Sequence, residues 1–411
     1  MNKYALIGAN LVYSFSKLIH TAFGRYEYEL LSLPEDRLRE TIFSSEYAGF
    51  NITNPYKRAV MEYCGALTPQ AKAVGCVNTL IKDENGITGA NTDYDGFLRM
   101  AERAGIDFNG KKALILGAGG TRLTARAAMA DSGASEIITV SRRGEVNYEN
   151  VYEHSDCDII VNATPVGTYP HNGERLIMLE RFENCCGVLD VVYNPLKSQL
   201  VLDAEKLGIP CTGGLSMLVG QAAEACALFT GRPLSESIPE RVQNTLTGSL
   251  SNIVLIGMPG CGKTTVGRRL SEYTGRPFID IDAEVESDAG MSIPEIFTCF
   301  GEQRFRELER EAVKRVGALT GAVIATGGGV VKNPLNHDSL AQNGRIYYIT
   351  RPLNALETSG RPLSADTEAV ARLERERAPL YEKLCDRCVA NDETPERTAE
   401  EILADFNSAF S

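Results

Sequence analysis

A glycine-rich loop that follows a short apolar run constrains the fold of this chain more than any other feature. The run IVLIG, residues 253–257, leads directly into MPGCGKTT, and together they complete the pattern G-x-x-x-x-G-K-[ST]. In such loops the backbone N–H groups wrap phosphates, the lysine reaches the outer phosphates and the hydroxyl residue contacts Mg²⁺. The pattern therefore predicts a strand, a phosphate-binding loop and a helix. A strand-to-helix turn that carries Lys-Thr by coincidence accounts less well for the elements on both sides. The candidate nucleotide-binding residues are Gly260, Cys261, Gly262, Lys263, Thr264 and Thr265, with Thr264 also a candidate metal ligand.

A second nucleotide-like turn, ALILGAGGTR, lies much earlier in the chain. Its glycines do not fit G-x-G-x-x-G, so alone it is a modest signal for a pyrophosphate at a helix N-terminus. The next strand-like run, EIITV, ends in SRR, where an NAD enzyme needs an acidic residue for the ribose hydroxyls. Arginines there suit a 2′-phosphate and favour NADP, although surface arginines at a strand end remain the alternative. The candidate cofactor-binding residues here are Gly117, Ala118, Gly119, Gly120, Ser141, Arg142 and Arg143.

The composition narrows the classes of partner. The 411 residues carry a formal net charge of −12, which disfavours binding to nucleic acid or to an anionic membrane. The N-terminal apolar stretch is too short for a signal peptide, and no segment is apolar enough to span a bilayer. We therefore expect a cytoplasmic protein with small-molecule substrates, no nucleic acid and no membrane partner. Assembly into a homo-oligomer is compatible with the sequence.

The cysteines indicate a reducing compartment. Eleven cysteines without regular spacing, against four histidines, fit free thiols better than a disulfide framework. Cys385 and Cys388 have C-x-x-C spacing, but the adjacent Cys185 and Cys186 do not supply the second pair that a zinc site needs. The sequence favours incidental thiols over a redox or metal role for this pair.

The order of apolar runs predicts an α/β architecture with largely parallel sheets. KKALILGAGG, EIITVSRR and DIIVNATP follow one another as the strands of a dinucleotide-binding half. The run SMLVGQAAEACALFTG then reads as a helix. The polar segment TLTGSLSN, residues 245–252, marks the main predicted boundary, which leaves residues 251–411 as a compact unit of their own.

Five further motifs follow the phosphate loop. FIDIDAEVE places two aspartates on the same side of a predicted strand end, where they can hold Mg²⁺ and orient a substrate hydroxyl. GEQRFRELE, VIATGGGVV, SGRPL and RAPLY come after it in that order. Together the five motifs resemble those of shikimate kinase, and the resemblance covers nearly all of residues 251–411. The residues that carry it are Asp280, Asp282, Arg306, Gly327, Gly328, Gly329, Arg361 and Arg377.

The resemblance implies a five-stranded parallel sheet, ATP with Mg²⁺, and phosphoryl transfer to a hydroxyl of shikimate. It implies that Lys263 and Thr264 hold phosphates and metal, with Asp280 near the metal. Asp282 would bind substrate hydroxyls and accept the proton. Arg306 and Arg377 would grip the carboxylate, which suits the bidentate guanidinium, and the glycines let the ring approach the backbone. Arg361 would act from a lid, although the segment before it is shorter than in most members of that family.

A second group of motifs lies in the first 246 residues. They are YSFSKLIH, GFNITNPYK, GCVNTL and GANTDYDGF, and later DVVYNPLKSQL and GGLSMLVGQAAEA. Together they resemble the motifs of shikimate dehydrogenase. The resemblance implies that Lys57 and Asp93 form the catalytic pair, because a reduced ketone must gain a proton. Ser14, Ser16 and Tyr193 would bind the substrate carboxylate, Thr53, Asn78 and Gln221 its ring hydroxyls, and Gly214 and Met217 the cofactor.

The two resemblances together imply a domain order. We expect a substrate domain over residues 1–96, completed by helices at about 214–246, and a Rossmann NADP-binding domain over residues 97–213. A P-loop kinase domain over residues 251–411 follows.

Because one reaction's product is the other's substrate, we expect a bifunctional enzyme of chorismate and aromatic amino acid biosynthesis. It would reduce 3-dehydroshikimate to shikimate with NADPH and phosphorylate shikimate with ATP. Two alternatives stay open. One is a quinate/shikimate dehydrogenase joined to a kinase for another small hydroxy acid, and the other is that one half is a regulatory nucleotide-binding module.

Overall fold

The computed structural model describes residues 2–11, 14–356 and 367–411, which divide into two compact units. The first unit comprises Met1–Asn194 and Asp203–Gln243, and the second comprises Pro195–Leu202 and Asn244–Ser411. No helix within the described ranges is long and apolar enough to cross a membrane.

The first unit begins with a mixed six-stranded sheet. Its strands are β1 (Lys3–Gly8), β2 (Glu27–Ser32), β3 (Gly49–Ile52), β4 (Ala66–Leu67), β5 (Thr79–Asp83) and β6 (Gly86–Ala90), in the order β2-β1-β3-β5-β6-β4. The associated helices are α1 (Ser16–Phe23), α2 (Leu38–Phe43) and α3 (Pro69–Val74). Ile7, Phe50 and Leu80 are fully buried in the central strands. The carboxyl ends of β1 and β3 lie side by side because these two strands are parallel, and the loops that follow them carry predicted site residues.

A five-stranded parallel sheet follows in the same unit. Its strands are β7 (Lys112–Leu116), β8 (Glu136–Val140), β9 (Ile159–Asn162), β10 (Gly187–Asp190) and β11 (Cys211–Thr212), in the order β11-β10-β9-β7-β8. The helices from this part of the chain are α4 (Asp93–Arg103), α5 (Gly120–Asp131), α6 (Gln199–Lys206), α7 (Leu215–Thr230) and α8 (Ser237–Leu250). Strand β7 has only buried apolar residues after its first position, as expected when helices cover both faces of a parallel sheet.

The second unit contains a five-stranded, entirely parallel sheet. Its strands are β12 (Asn252–Ile256), β13 (Phe278–Asp280), β14 (Val323–Ala325), β15 (Gly344–Thr350) and β16 (Arg387–Ala390), in the order β13-β14-β12-β15-β16. Its helices are α9 (Lys263–Thr274), α10 (Ile281–Ala289), α11 (Ile293–Gly317), α12 (Pro334–Ala341), α13 (Thr367–Leu384) and α14 (Pro395–Ala409). Short 3₁₀ helices lie at Glu35–Arg37, Ala59–Tyr63, Val151–His154, Leu179–Arg181, Val330–Lys332 and Leu353–Ala355. The predicted α/β class and the five-stranded parallel kinase sheet are confirmed.

One local prediction is wrong. Asp282 does not share a strand end with Asp280, because β13 ends at Asp280 and α10 begins at the next residue. The side chain of Asp280 accepts a hydrogen bond from the Asp282 N–H and so caps this helix. Within the predicted boundary segment 245–252, α8 continues to Leu250 and β12 starts at Asn252.

Candidate active sites

The first candidate site is centred on an ion pair between Lys57 and Asp93. Lys57 lies in the loop after β3 and Asp93 is the first residue of α4, and Lys57 Nζ donates to Asp93 Oδ2 at 2.5 Å. Burial acts to lower the pKa of the Lys57 ammonium. The attraction and hydrogen bond of Asp93 outweigh burial, and that pKa stands above its ordinary value. The pair therefore keeps a charged proton donor in a partly buried position.

A cavity of about 390 Å³ brings this pair together with the other residues predicted to bind substrate. Two asparagines that the sequence did not single out also line it, Asn10 and Asn51. Asn51 Oδ1 accepts from the Tyr28 hydroxyl at 2.7 Å, and its Nδ2 donates to Thr79 Oγ1 at 3.0 Å. Asn51 lies within the quoted GFNIT motif, which was the available signal. The predicted residues that line the cavity are Ser14, Ser16, Thr53, Lys57, Asn78, Asp93, Tyr193 and Gln221.

The side chains of this cavity are oriented by their own neighbours. Asn78 Oδ1 accepts from the Thr92 N–H at 2.7 Å, and Asn78 Nδ2 donates to Thr92 Oγ1 at 3.1 Å. Gln221 Nε2 donates to the Leu218 carbonyl one turn earlier in α7, at 2.9 Å. Such bonds fix the amide rotamers before a ligand binds, which is the usual basis of specificity in a polar pocket.

The predicted dinucleotide turn opens α5 at the carboxyl end of β7. Gly117 has φ +115°, and a Cβ there would lie 2.7 Å from Thr164 Cγ2, so glycine is required. Gly119 is the N-cap of α5, and a Cβ on Gly119 or Gly120 would meet nothing within 4 Å. The turn therefore presents the open amino end of a helix, a place suited to phosphate. Ala118 lies between these glycines in the same turn.

Arginines flank this turn. Arg142 and Arg143 are exposed after β8, which is the parallel neighbour of β7, so both loops open at the same edge of the sheet. Ser141 shapes the second loop by accepting the Gly144 N–H at its carbonyl, at 3.1 Å. In the first turn of α5, the Nε of Arg122 is buried and finds no hydrogen-bond partner among the described residues. These donors fit a phosphorylated dinucleotide.

Gly214 and Met217, predicted to contact the cofactor, have clear packing roles. A Cβ on Gly214 would lie 2.1 Å from the Val191 carbonyl oxygen, and the Gly214 N–H donates to the Val192 carbonyl at 2.8 Å. Met217 is buried in the apolar core of the first unit. Gly214 thus fixes where α7 starts.

The second candidate site surrounds the phosphate loop, in a cavity of about 550 Å³. Three glycines of the loop, Gly257, Gly260 and Gly262, adopt positive φ. Lys263 is buried, and its Nζ donates to the carbonyl oxygens of Gly257 and Met258, both at 2.9 Å. Cys261 and Thr265 complete the predicted loop, with Cys261 fully buried and Thr265 lining the cavity.

Two aspartates at this site occupy different environments, one suited to hold a metal ion and the other suited to accept a proton. Thr264 Oγ1 donates to Asp280 Oδ2 at 2.8 Å, so these oxygens lie together as Mg²⁺ prefers. Burial, and then the charge of Asp280, raise the pKa of Asp282 to about 6. Asp282 Oδ1 is buried and finds no hydrogen-bond partner in the described part of the chain. A carboxyl in this state is suited to exchange a proton near neutral pH.

Two arginines and a glycine run form the rest of this cavity. Arg306 Nη1 donates to both carboxylate oxygens of Glu309, at 3.0 and 3.1 Å, and Glu309 is only 1% exposed. Arg377 Nη1 donates to the Gly328 carbonyl at 3.0 Å, while its buried Nε finds no partner within the described ranges. A Cβ on Gly329 would lie 2.3 Å from Arg306 Nη1. The predicted residues that line the cavity are Gly260, Gly262, Lys263, Thr264, Thr265, Asp280, Asp282, Arg306, Gly327, Gly328, Gly329 and Arg377.

Some residues of this site were not predicted, and one predicted residue cannot be placed. Glu309, Arg351, Asn391 and Pro395 line the cavity, and Asn391 Nδ2 donates to the Cys261 carbonyl at 2.7 Å. Glu309 follows Arg306 by three residues in FRELE, a helical spacing that signals a pair. Arg361 lies outside the described residues.

Comparisons with known proteins match both parts of the chain. The family model for the shikimate dehydrogenase substrate binding domain matches residues 6–80, and that for shikimate kinase matches residues 259–407. A shikimate dehydrogenase (NADP(+)) of Clostridium perfringens is 32% identical over 267 residues, covering 60% of this chain and 98% of the relative. One from Methanopyrus kandleri is 35% identical over 262 residues, covering 56% and 90%.

Solved structures give the same picture for the first part of the chain. A chorismate mutase/shikimate 5-dehydrogenase fusion protein from Clostridium acetobutylicum aligns with a TM-score of 0.58 and 29% identity, covering 60% of this chain and 97% of that one. The shikimate 5-dehydrogenase of Thermus thermophilus, in complex with NADP(H) and shikimate, aligns with a TM-score of 0.54 and 28% identity, covering 60% and 99%.

Proposed function

We propose a role for each site residue in two enzymatic activities, starting from the family of the chain. The chain belongs to the shikimate dehydrogenase family and carries a shikimate kinase domain over residues 259–407. It is a bifunctional enzyme of the shikimate pathway, with an NADP-dependent oxidoreductase activity and an ATP-dependent phosphotransferase activity. The oxidoreductase activity reduces 3-dehydroshikimate to shikimate, and the phosphotransferase activity converts shikimate to shikimate 3-phosphate.

The observation that carries the reductase assignment is the Lys57–Asp93 pair at 2.5 Å inside the polar cavity. NADPH supplies the hydride when it is bound. Lys57 Nζ donates a proton to the oxygen that becomes the new hydroxyl, and Asp93 holds the ammonium in place and stabilises its charge before transfer. The raised pKa of Lys57 keeps that proton available at neutral pH.

The remaining polar residues of the cavity fix the substrate. We assign Ser14, Ser16 and Tyr193 to the carboxylate, because they supply hydroxyl donors. Thr53, Asn78 and Gln221 address the ring hydroxyls, for which amide and hydroxyl groups can both donate and accept. The bound orientation then directs the ketone toward Lys57.

The arginines and the helix start after β7 support NADP binding at the first site. Gly119 and Gly120 offer open backbone amides for the pyrophosphate, and Gly117 and Ala118 shape the turn. Arg142 and Arg143 supply the positive charges for a 2′-phosphate. Gly214 and Met217 act through the placement of α7. Arg122 Nε, which has no hydrogen-bond partner among the described residues, adds a buried donor beside the same turn.

At the second site the residues fit ATP and Mg²⁺. Lys263 and the loop amides, with Cys261 and Thr265 in the same loop, would hold phosphates, while Thr264 and Asp280 offer the oxygen donors that suit Mg²⁺. ATP supplies the phosphoryl group when bound.

Asp282 accepts the proton of the attacking hydroxyl, and its elevated pKa matches that task. Arg306 and Arg377 bind the substrate carboxylate, and the glycine run lets the ring approach the backbone. We keep Arg361 as a proposed lid residue that neutralises charge on the moving phosphoryl.

We also propose the domain bounds 1–96, 97–213 and 251–411, with helices at about 214–246 completing the first, and a cytoplasmic location. The net charge of −12 supports small-molecule partners over nucleic acid or membrane.

Replacing shikimate with quinate, and NADP with NAD, in the reverse oxidation tests the quinate alternative.

Two single variants test the assignment. Lys57→Met should lower NADPH oxidation by about 10²–10⁴-fold, because the proton donor is lost, and leave shikimate phosphorylation intact. Lys263→Met should lower phosphorylation by about a hundredfold or more, because the phosphate contact is lost, and leave NADPH oxidation intact. Both rates are measured on the same full-length preparation.

The matched controls are Lys72→Met and Lys314→Met, which remove exposed lysines from the two units. Both controls should keep both activities. Loss of phosphorylation in Lys57→Met, or of NADPH oxidation in Lys263→Met, would show that the residues do not serve two separate sites.

A further inference from the structure

The C-x-x-C pair of the second unit is a thiol pair already in contact. Cys385 Sγ and Cys388 Sγ lie 3.5 Å apart, with Cys385 half-buried and Cys388 exposed. A disulfide bond is about 2.05 Å long, so the two sulfurs need to approach by only about 1.5 Å for the bond to form. Neither sulfur belongs to the sites described above.

The backbone holds the two sulfurs in this arrangement. The Cys385 N–H continues the hydrogen bonding of α13 by donating to the Tyr381 carbonyl at 3.0 Å. The turn between the cysteines is fastened to β15, because the Asp386 N–H donates to the Ile346 carbonyl at 2.8 Å and Asp386 Oδ2 accepts from the Ile346 N–H at 2.6 Å. Cys388 lies in the edge strand β16, where its partner in the sheet register is Tyr348 of β15. The contact therefore follows from anchored backbone on both sides.

A metal does not account for the pair. Structural zinc sites take four protein ligands, and the part of the chain that the structure describes contains no group of three or more His, Cys, Asp or Glu able to hold a metal ion. Two thiols with one accessible sulfur instead fit thiol–disulfide exchange, which needs an attacking and a resolving thiol.

We propose that Cys385 and Cys388 form a reversible dithiol site, which low-molecular-weight disulfides of the glutathione class oxidise to an intramolecular disulfide. The exposed Cys388 thiolate attacks one sulfur of the small disulfide, forms a mixed disulfide and expels one thiolate. Cys385 loses its proton to solvent and attacks Cys388 Sγ, which forms the Sγ–Sγ bond and expels the second thiolate. The two cysteines lose two electrons, the small disulfide gains them, and the released protons yield two small thiols.

The environments of the sulfurs set this order. Burial, followed by the hydrogen bond with Cys388, raises the pKa of Cys385 above its ordinary value, so Cys385 is the poorer source of the first attacking thiolate. Cys385 Sγ also donates to the Glu382 carbonyl at 3.6 Å. Cys388 is the accessible sulfur and reacts first.

Trypsin provides a direct test, because Arg387 separates the two cysteines. Cleavage after Lys383, Arg387 and Arg397 releases LCDR and CVANDETPER. The full-length protein is incubated with excess oxidised glutathione, alkylated, digested without reductant and examined by mass spectrometry. We expect the two peptides to appear mainly as one disulfide-linked pair, exceeding the alkylated peptides by about tenfold, and dithiothreitol treatment before alkylation to abolish it.

Three variants make the test specific. Cys388→Ser should remove the linked pair and leave Cys385 free of glutathione, since the attacking thiol is gone. Cys385→Ser should trap glutathione on Cys388, since the resolving thiol is gone. Cys299→Ser removes another exposed thiol and should leave the linked pair unchanged. The proposal is overturned if both wild-type cysteines stay fully alkylated, or if wild-type Cys388 retains glutathione without forming the linked pair.

Discussion

At the residue scale, the protonation state of Asp282 should control the kinase reaction. Its pKa of about 6 stands above the ordinary range for aspartate, because the carboxyl is buried beside Asp280. A proton acceptor must be ionised, so the kinase is active above that pKa and loses activity as the pH falls through it. We predict that kcat/KM for shikimate phosphorylation falls about tenfold per pH unit below about pH 6. Rates measured from pH 5 to 8 check this.

Asp282→Asn is the matching variant for that pH profile. It should lower kcat/KM by about 10²–10⁴-fold and remove the acidic limb, because the titrating group is gone. A wild-type kcat/KM that stays constant down to pH 5 would refute the assignment of Asp282 as the proton acceptor.

Motifs located many of the residues at both cavities, but they did not give the environment of those residues. Lys57 and Asp93 are 36 positions apart, and their contact depends on how β3 and α4 pack. Asn51 and Glu309 were missed because their importance comes from burial and from the partners Tyr28 and Arg306. A sequence shows which groups are present, whereas the pKa of Asp282 depends on desolvation that only the fold creates.

At the element scale, α4 and α7 approach so closely that glycine is needed at their contact. A Cβ on Gly96 would lie 2.7 Å from the Met217 carbonyl oxygen and 2.8 Å from the backbone nitrogen of Gln221. On the other helix, a Cβ on Gly220 would lie 3.2 Å from Gly96 Cα. Because α4 begins with Asp93 and α7 carries Gln221, this contact sets the distance between two sides of the first cavity.

Gly96→Ala should therefore push α7 away from α4. We predict a loss of about 1–3 kcal/mol in the free energy of unfolding of the first unit, measured by denaturant titration. The KM for 3-dehydroshikimate should rise, while the KM of the kinase for shikimate stays unchanged.

Gly173→Ala is the control, since its Cβ would meet nothing within 4 Å. If Gly96→Ala matched this control in both stability and KM, the two helices would not depend on the glycine contact.

Elements were easier to predict where the apolar pattern was strong. The runs IVLIG and EIITV are strands, and the apolar run 216–231 lies almost wholly in α7. Residues 281–282 were misassigned to a strand end because the local alternation of apolar and acidic residues outweighed their context. In the structure Asp280 is the N-cap of α10, which begins at residue 281.

At the scale of the whole molecule, consecutive reactions are assigned to residues in different units. Lys57 and Asp93 belong to the first unit, while Lys263 and Asp282 belong to the second. Joining two sites raises the effective concentration of a ligand only when that ligand is itself tethered. Shikimate is released as a free small molecule, so the covalent connection alone gives it no preferred route.

We therefore predict that the intermediate equilibrates with solvent. Isotopically labelled 3-dehydroshikimate, NADPH and ATP are supplied together with excess unlabelled shikimate, and the label in shikimate 3-phosphate is measured. The unmodified chain should lose label in proportion to the unlabelled pool, because the kinase site draws from bulk solution. A mixture of the Lys57→Met and Lys263→Met chains, each at the concentration used for the unmodified chain, places the same number of the two active sites on separate molecules. It should give the same dilution and the same steady-state rate. Retention of label by the unmodified chain but not by the mixture would demonstrate direct transfer and overturn the prediction.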